Sequence, residues 1–191
     1  MQEDRTVPKV SQAQAKLNRE RVVEVAAALF RERGLHGVSV ADIMASAGLT
    51  HGGFYGQFAS KEALAVEAFD LAANQNWRPD ELDGWMAQYL SLAHVRNPAF
   101  GCPLASLAND VSREAPGSPV RSRFLKGVRD LIDRVADHFP MGPAKRRRQR
   151  ALTTLSILVG TVALARAIDD DPLREEMLEA ARAALASGKL G

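Results

Sequence analysis

The stretch Ser39-Val40-Ala41-Asp42-Ile43-Met44-Ala45-Ser46-Ala47-Gly48-Leu49-Thr50-His51-Gly52-Gly53-Phe54-Tyr55-Gly56-Gln57-Phe58 decides the fold. Ser39 followed three residues later by Asp42 has the spacing of a capping box and predicts a short helix ending at Ala47-Gly48. Gly48 suits a left-handed turn, a conformation that costs a residue with a side chain about 1 kcal/mol. Thr50 is a good N-cap for a further short helix carrying His51 to Gln57 and closing at Phe58-Ala59. Ile43, Ala47, Leu49, Phe54 and Phe58 would lock the two helices together, leaving Thr50, His51, Gly52, Tyr55 and Gln57 outside. Helix, four-residue turn with Gly, helix is the helix-turn-helix pattern.

Working outward, a helix over 18–33 precedes this unit, with Val22, Val25, Ala26, Leu29 and Phe30 as its apolar stripe and Gly34 as its stop. Residues 1–17 read as a loose arm. Ser60 caps a helix from Lys61 to about Asn76. Longer helices follow at about 80–94, 103–113, 118–138, 143–168 and 172–186, with Pro103, Pro119, Pro143 and Pro172 at first helical positions. No stretch alternates with period 2, so the expected class is all-α.

Two features raise the central segment above a plain helical corner, which the spacing also suits. Gly52 and Gly53 each weaken a short helix by about 1 kcal/mol relative to Ala, a cost that close approach to another surface explains. Thr50, Tyr55 and Lys61 gather hydroxyls and an ammonium where phosphate would bind. In such a unit the second helix enters the major groove of DNA. Bulk charge gives little help. Residues 1–65 hold eight Lys/Arg against seven Asp/Glu, and the whole chain of 191 residues is only +2. Binding must therefore come from placed contacts.

The stretches Gly37 to Ile43, Ala47 to Thr50, Gly53 to Phe58 and Ser60 to Leu64 resemble the TetR family of transcriptional regulators. The resemblance covers residues 19–70. It implies a three-helix helix-turn-helix DNA-binding domain at 18–63 and a helical ligand-binding and dimerisation domain at 64–191. It further implies a homodimer on palindromic double-stranded operator DNA, acting as a repressor released by a small-molecule inducer. Tyr55 and Lys61 match the family's phosphate-contacting Tyr and Lys, and Thr50, His51 and Gly52 match the start of its recognition helix. Ser39 joins the DNA-facing candidates. This chain departs in having no Arg, Lys or Asn between His51 and Phe58, so strong bidentate base readers are absent. Gln57 could read adenine and His51 guanine, with DNA shape supplying the remainder.

In the second half, Ser156, Gly160, Ala163 and Ala167 recur on one helix face as small residues that let another backbone come close. Leu173, Met177, Ala180, Ala181, Ala184 and Leu185 line one side of the last helix. Two such helices from each of two chains would make a four-helix dimer bundle, with Ser156, Gly160, Ala163, Ala167, Leu173, Met177, Ala181 and Leu185 at the interface. Packing within one chain is the other use of these faces. Candidates for a mainly apolar ligand pocket are Trp85, Tyr89, Phe100, Leu104, Leu107, Phe124, Val128 and Leu155, with His94, Asn109, His138 and Arg166 as nearby polar groups. Cys102, at the N-cap of the helix opened by Pro103, is either a thiol tuned to sense electrophiles or oxidants or a small buried side chain.

A single Cys excludes an intrachain disulfide and a multi-Cys zinc site. The four His are scattered and no nucleophile or phosphate-loop motif occurs, so neither catalysis, metal nor cofactor is expected. The beginning, MQEDRTVPKV, has no apolar stretch of a signal peptide. The longest uncharged apolar run, Ala151 to Ala165, spans roughly 22 Å as a helix, short of a ~30 Å hydrocarbon core. A cytoplasmic protein without membrane partner is the expectation. The rival reading is a helical adaptor that uses the small-residue stripe on another protein and binds no DNA.

Overall fold

Ser11 accepts a hydrogen bond from the backbone N–H of Gln14 and so starts the first helix, α1 (Gln12–Arg33). That is six residues before the start expected from the apolar stripe, because a cap and exposed polar residues sustain the extra turns. The expected loose arm therefore does not extend over residues 12–17. The computed structural model describes residues 11–75, 82–139 and 141–187. Among these the chain is all helical.

Gly34, with φ 79°, ends α1, and the capping box at Ser39 opens α2 (Val40–Ser46). Both halves of that box are made: Asp42 N donates to Ser39 Oγ over 3.1 Å, and Ser39 N donates to Asp42 Oδ2 over 2.9 Å. Gly48, with φ 72°, makes the turn as expected. Next comes a single 3-10 turn, His51–Gly53, where a short helix through Gln57 was expected. Thr50 makes no side-chain cap. Gly52, Gly53 and Gly56 disfavour a longer helix, and Phe58 N closes a last i→i−4 bond to Phe54 O over 3.0 Å. Ser60 Oγ accepts from Ala63 N and opens α3 (Lys61–Gln75).

The segment expected as one helix to residue 94 is two, α4 (Leu82–Tyr89) and α5 (Leu92–Arg96). Ser91 Oγ accepts from His94 N and restarts the helix at that break. A 3-10 turn (Pro98–Phe100) leads to α6 (Pro103–Arg113), followed by α7 (Pro119–Asp137), α8 (Ala144–Ala167) and α9 (Asp171–Ala186). Pro103 and Pro119 take first helical positions, whereas Pro143 caps α8 and Pro172 is the second residue of α9.

One buried cluster joins α1, α2, the recognition segment and α3 to α6, α7 and the first half of α8. A second joins α4, α5, the later half of α8 and α9. The first cluster does not divide at residue 63, because α3 runs through that position and packs on both α1 and α7. The two halves are also tied by polar contacts. Leu35 N donates to Asp110 Oδ2 over 2.7 Å, and His36 pairs with Glu114 at 2.9 Å. The buried Arg31 donates to Ala27 O at 2.9 Å, Gly101 O at 3.1 Å and Gln75 Oε1 at 3.2 Å. Burial lowers its pKa to about 10, which leaves it charged at neutral pH.

By length and composition α8 could cross a membrane. It opens on Lys145-Arg146-Arg147-Arg148, however, and buries Ala151, Thr154, Leu155, Leu158, Val162 and Ala165 inside the protein. It is thus a core helix with one outer face.

Candidate nucleic-acid interface and ligand cavity

The recognition segment hangs on two rings. Phe54 and Phe58 are 0% and 3% exposed and stack at 5.5 Å. Their burial turns Thr50, His51, Gly52 and Tyr55 outward, and Tyr55 is 68% exposed. The Tyr55 ring stands edge-on to His51 at 6.3 Å and to Phe54 at 5.1 Å. A Cβ added at Gly52 would meet nothing within 4 Å, so the backbone there is open to a close-approaching surface. Arg19 covers Phe58 at 4.6 Å and is held by Glu67 at 2.6 Å.

Three expected DNA-facing residues sit differently. Gln57 is half-buried: its amide nitrogen donates to Gly53 O over 3.3 Å, and its Oε1 is buried without a partner. It is therefore not aimed outward, because the glycine turn offers a carbonyl at hydrogen-bond distance. Ser39 is exposed, but its hydroxyl proton goes to Asp42 Oδ2 at 2.6 Å, leaving none to donate to a phosphate. Lys61 is half-buried with its Nζ 5.9 Å from the centre of the Phe30 ring, and burial lowers its pKa against the opposing pull of Asp42 and Glu114. An exposed cation not singled out from sequence, Arg21, reaches toward the turn at Gly48. It lies one helix away from the motif in sequence, so spacing alone gives no signal for it.

A cavity of about 340 Å³ opens between α3, α4, α5, α6 and α7. Of the expected lining, Trp85, Tyr89, Phe100, Cys102, Leu104 and His94 contribute. Leu107, Phe124, Val128 and Leu155 instead pack in the first core cluster and do not line it. Asn109, His138 and Arg166 are also absent from its walls. Sequence reasoning missed the contribution of α3 (Phe69, Ala72, Ala73, Asn74) and of α7 (Arg123, Gly127, Asp130, Leu131, Arg134). Gly127 matters sterically, since a Cβ there would lie 2.7 Å from the Phe69 ring.

Polar order at the cavity wall is specific. Cys102 N donates to His94 Nε2 over 3.0 Å, so Nδ1 carries the ring proton and donates to Tyr89 O over 2.6 Å. Burial lowers the His94 pKa, and the ring stays neutral. Burial and the neighbouring Cys102 thiol push the Tyr89 phenol well above its usual range. Arg166 donates to Ser106 Oγ at 2.8 Å and to His94 O at 3.1 Å. Gly101 fits between these groups only because a Cβ would fall 2.4 Å from Arg166 Nη2. Cys102 occupies the N-cap position of α6 without a side-chain cap bond, and it is half-buried.

Residues 22–68 match the model of the bacterial regulatory proteins of the tetR family. A TetR transcriptional regulator from Chloroflexus aurantiacus superposes with a TM-score of 0.72 at 28% identity, covering 92% of this chain and 96% of that one. The chain belongs to the TetR family. An uncharacterized HTH-type transcriptional regulator of Mycobacterium tuberculosis, Rv0196, is 28% identical over 162 residues, 78% of this chain and 84% of its own length. The Mycobacterium tuberculosis repressor KstR2 is 44% identical over 54 residues, 28% of this chain and 27% of its own length. Escherichia coli NemR in its reduced form shares the fold, with a TM-score of 0.72 at 22% identity over 89% of this chain and 95% of its own. This TetR-family chain is a DNA-binding transcriptional regulator.

The outer face of α8 carries Ser156, Gly160, Ala163 and Ala167 at or near the surface, and a Cβ added at Gly160 would meet nothing. Leu152 and Leu164, 43% and 60% exposed, belong to the same surface and were not singled out from sequence. On α9, Leu173 is exposed and Met177 half-buried. Ala181 is 7% exposed and packs within the second cluster, and Leu185 lies against that cluster. These two therefore face inward, because the apolar stripe of α9 is wide enough to serve α5 and α8 of its own chain as well.

Proposed function

We propose that the chain is a homodimeric repressor that reads a palindromic operator with the segment at Thr50, and that a small molecule in the cavity lowers its DNA affinity. The observation that carries the DNA role is the outward set of Thr50, His51, Gly52 and Tyr55 on the buried Phe54 and Phe58 anchors. Tyr55 and Lys61 hold phosphates, and His51 with the bare backbone at Gly52 meets base edges. Residues 18–63 form the DNA-reading unit and 64–191 the ligand and dimer unit, with α3 shared between them. Exposed leucines beside small residues on α8, continued by Leu173 on α9, support a two-fold bundle. The repressor sign rests on the short likeness to KstR2.

The test is a gel shift against the DNA upstream of the chain's own gene. Tyr55→Phe weakens binding to operator and random duplex alike, whereas His51→Ala changes the preference between them. Gln57→Ala leaves preference unaltered, as its amide is turned inward. Equal losses on both duplexes for His51→Ala would refute its base-reading role. Failure to bind any duplex would favour the adaptor. Leu164→Glu converts the dimer to monomer in sedimentation equilibrium; an unchanged mass rules this face out.

Modification of Cys102 is a second route to release. It is favoured by the thiol lining the cavity with the Arg31 and Arg166 guanidiniums as its charged neighbours. Cys102→Ser abolishes the response to a thiol-reactive compound and keeps the response to a non-covalent ligand. Retained response to the thiol reagent would exclude this route.

A further inference from the structure

Two polar groups of the cavity wall are buried without a strong hydrogen-bond partner among the described residues: Arg123 Nη1, and the Tyr89 hydroxyl, which has only the weak Cys102 thiol beside it. Native interiors leave few such groups, because an unmade buried hydrogen bond costs stability, more so when the group is charged. Their setting explains why neither finds a strong partner among the described residues. The Tyr89 ring is packed between Trp85 at 5.3 Å and His94 at 4.6 Å, and His94 spends both ring nitrogens on backbone atoms. Arg123 gives its Nε to the Asp70 carboxylate and lays its guanidinium over the Phe69 ring at 5.2 Å. That leaves Nη1 close to Gly127, which brings no side chain of its own to it.

We infer that the cavity takes a small aromatic carboxylic acid, its carboxylate received by Arg123 and an oxygen of the ligand by the Tyr89 hydroxyl. The ring lies against Phe69 and Trp85. The volume, about 340 Å³, is at the small end of the roughly 300–1,000 Å³ typical of ligand pockets and fits one such body. Arg123 Nη1 can only donate and the Tyr89 hydroxyl can donate as well as accept, so a ligand that presents acceptors completes both. Charge agrees: the cavity wall carries Arg123 and Arg134 against Asp130, and Asp70 outside it takes only one edge of the Arg123 fork. A carboxylate can take the other edge, which a neutral acceptor fills less strongly. A cationic ligand would leave Arg123 Nη1 unpaired and set a like charge beside it.

This inference deepens the reading of the cavity as the inducer site, and its test separates the two. Benzoate, phenylacetate, 3-phenylpropionate and indole-3-acetate are titrated calorimetrically against the full chain, alongside their methyl esters and the corresponding amines. The best acid binds at least tenfold more tightly than its ester, and no amine binds. Arg123→Gln removes that preference. Tyr89→Phe weakens the acid about fivefold or more. Arg123→Lys, which keeps charge and fold but not the fork, restores part of the acid preference. Esters binding as tightly as acids, an Arg123→Gln chain that retains the preference, or no binding by any acid at millimolar concentration overturns the inference. In that case the gel shift still stands as an independent test of the regulator. Tight acid binding that leaves the operator complex intact would uphold the site and remove the inducer role.

Discussion

Apart from the inward-turned Gln57, whose Oε1 is also buried without a partner, the DNA-facing segment and the cavity handle their polar groups in opposite ways. Around residues 39–61 the hydroxyls, imidazole and ammonium are either in water or closed into local pairs such as Ser39 with Asp42. In the cavity, a phenol and one edge of a guanidinium are buried and left open. A surface made for a polyanion can keep its groups solvated until contact, because duplex phosphates are found by long-range attraction. A cavity made for one small molecule must hold its donors in position beforehand, at a cost in the empty state that occupancy removes.

Substitutions can break or sharpen this contrast. Phe54→Ala has the largest effect, since it empties a fully buried site under the recognition segment. It lowers stability by about 3–5 kcal/mol in urea denaturation and removes DNA binding with it. Lys61→Ala keeps the fold but reduces the salt dependence of DNA affinity, lowering the log–log slope by about 0.9 for one lost phosphate contact. An unchanged slope means that Lys61 remains a structural cover for Phe30.

Tyr89→Phe should do the reverse of Phe54→Ala. Deleting an unpaired buried hydroxyl raises the stability of the empty protein by up to about 1–3 kcal/mol, read as a higher urea midpoint. A lower midpoint shows that the hydroxyl is satisfied after all. The smallest effect is the pH response of His94→Gln. A histidine whose pKa is lowered by folding adds stability that is present above about pH 6.5 and lost as pH falls through its folded value. Gln can still accept from Cys102 N and donate to Tyr89 O without titrating. The part of the acid-side stability loss that begins near pH 6.5 is accordingly reduced in this variant.

The helix-turn-helix unit was legible because its determinants are local. The Ser39–Asp42 box, the turn at Gly48 and the Ser60 cap each act over a few residues, and all three form as expected. The shortness of the recognition segment was half legible. Gly52 and Gly53 warned of it, yet the Thr50 cap and the apolar spacing argued for a full helix. The break between α4 and α5 rests on the Ser91 hydroxyl, which donates to Gln88 O and accepts from His94 N, inside a sequence with ample helix propensity. The cavity was least legible. Phe69 and Gly127 lie 58 positions apart and meet only once α3 packs on α7, and nothing in the spacing of either helix shows that pairing. Leu107, Phe124, Val128 and Leu155 failed as lining residues for the same reason: apolar periodicity marks an inward face but not whether the inside is filled.

Arg31 grips the carbonyl of Gly101, one peptide bond from the cavity-lining Cys102, while its own helix runs back beneath the recognition segment. No flexible linker intervenes along that route: a buried guanidinium forms a rigid strut between a wall and an axle. The guanidinium is thus a direct polar link between the wall next to residue 102 and the helix that carries Arg19 over Phe58.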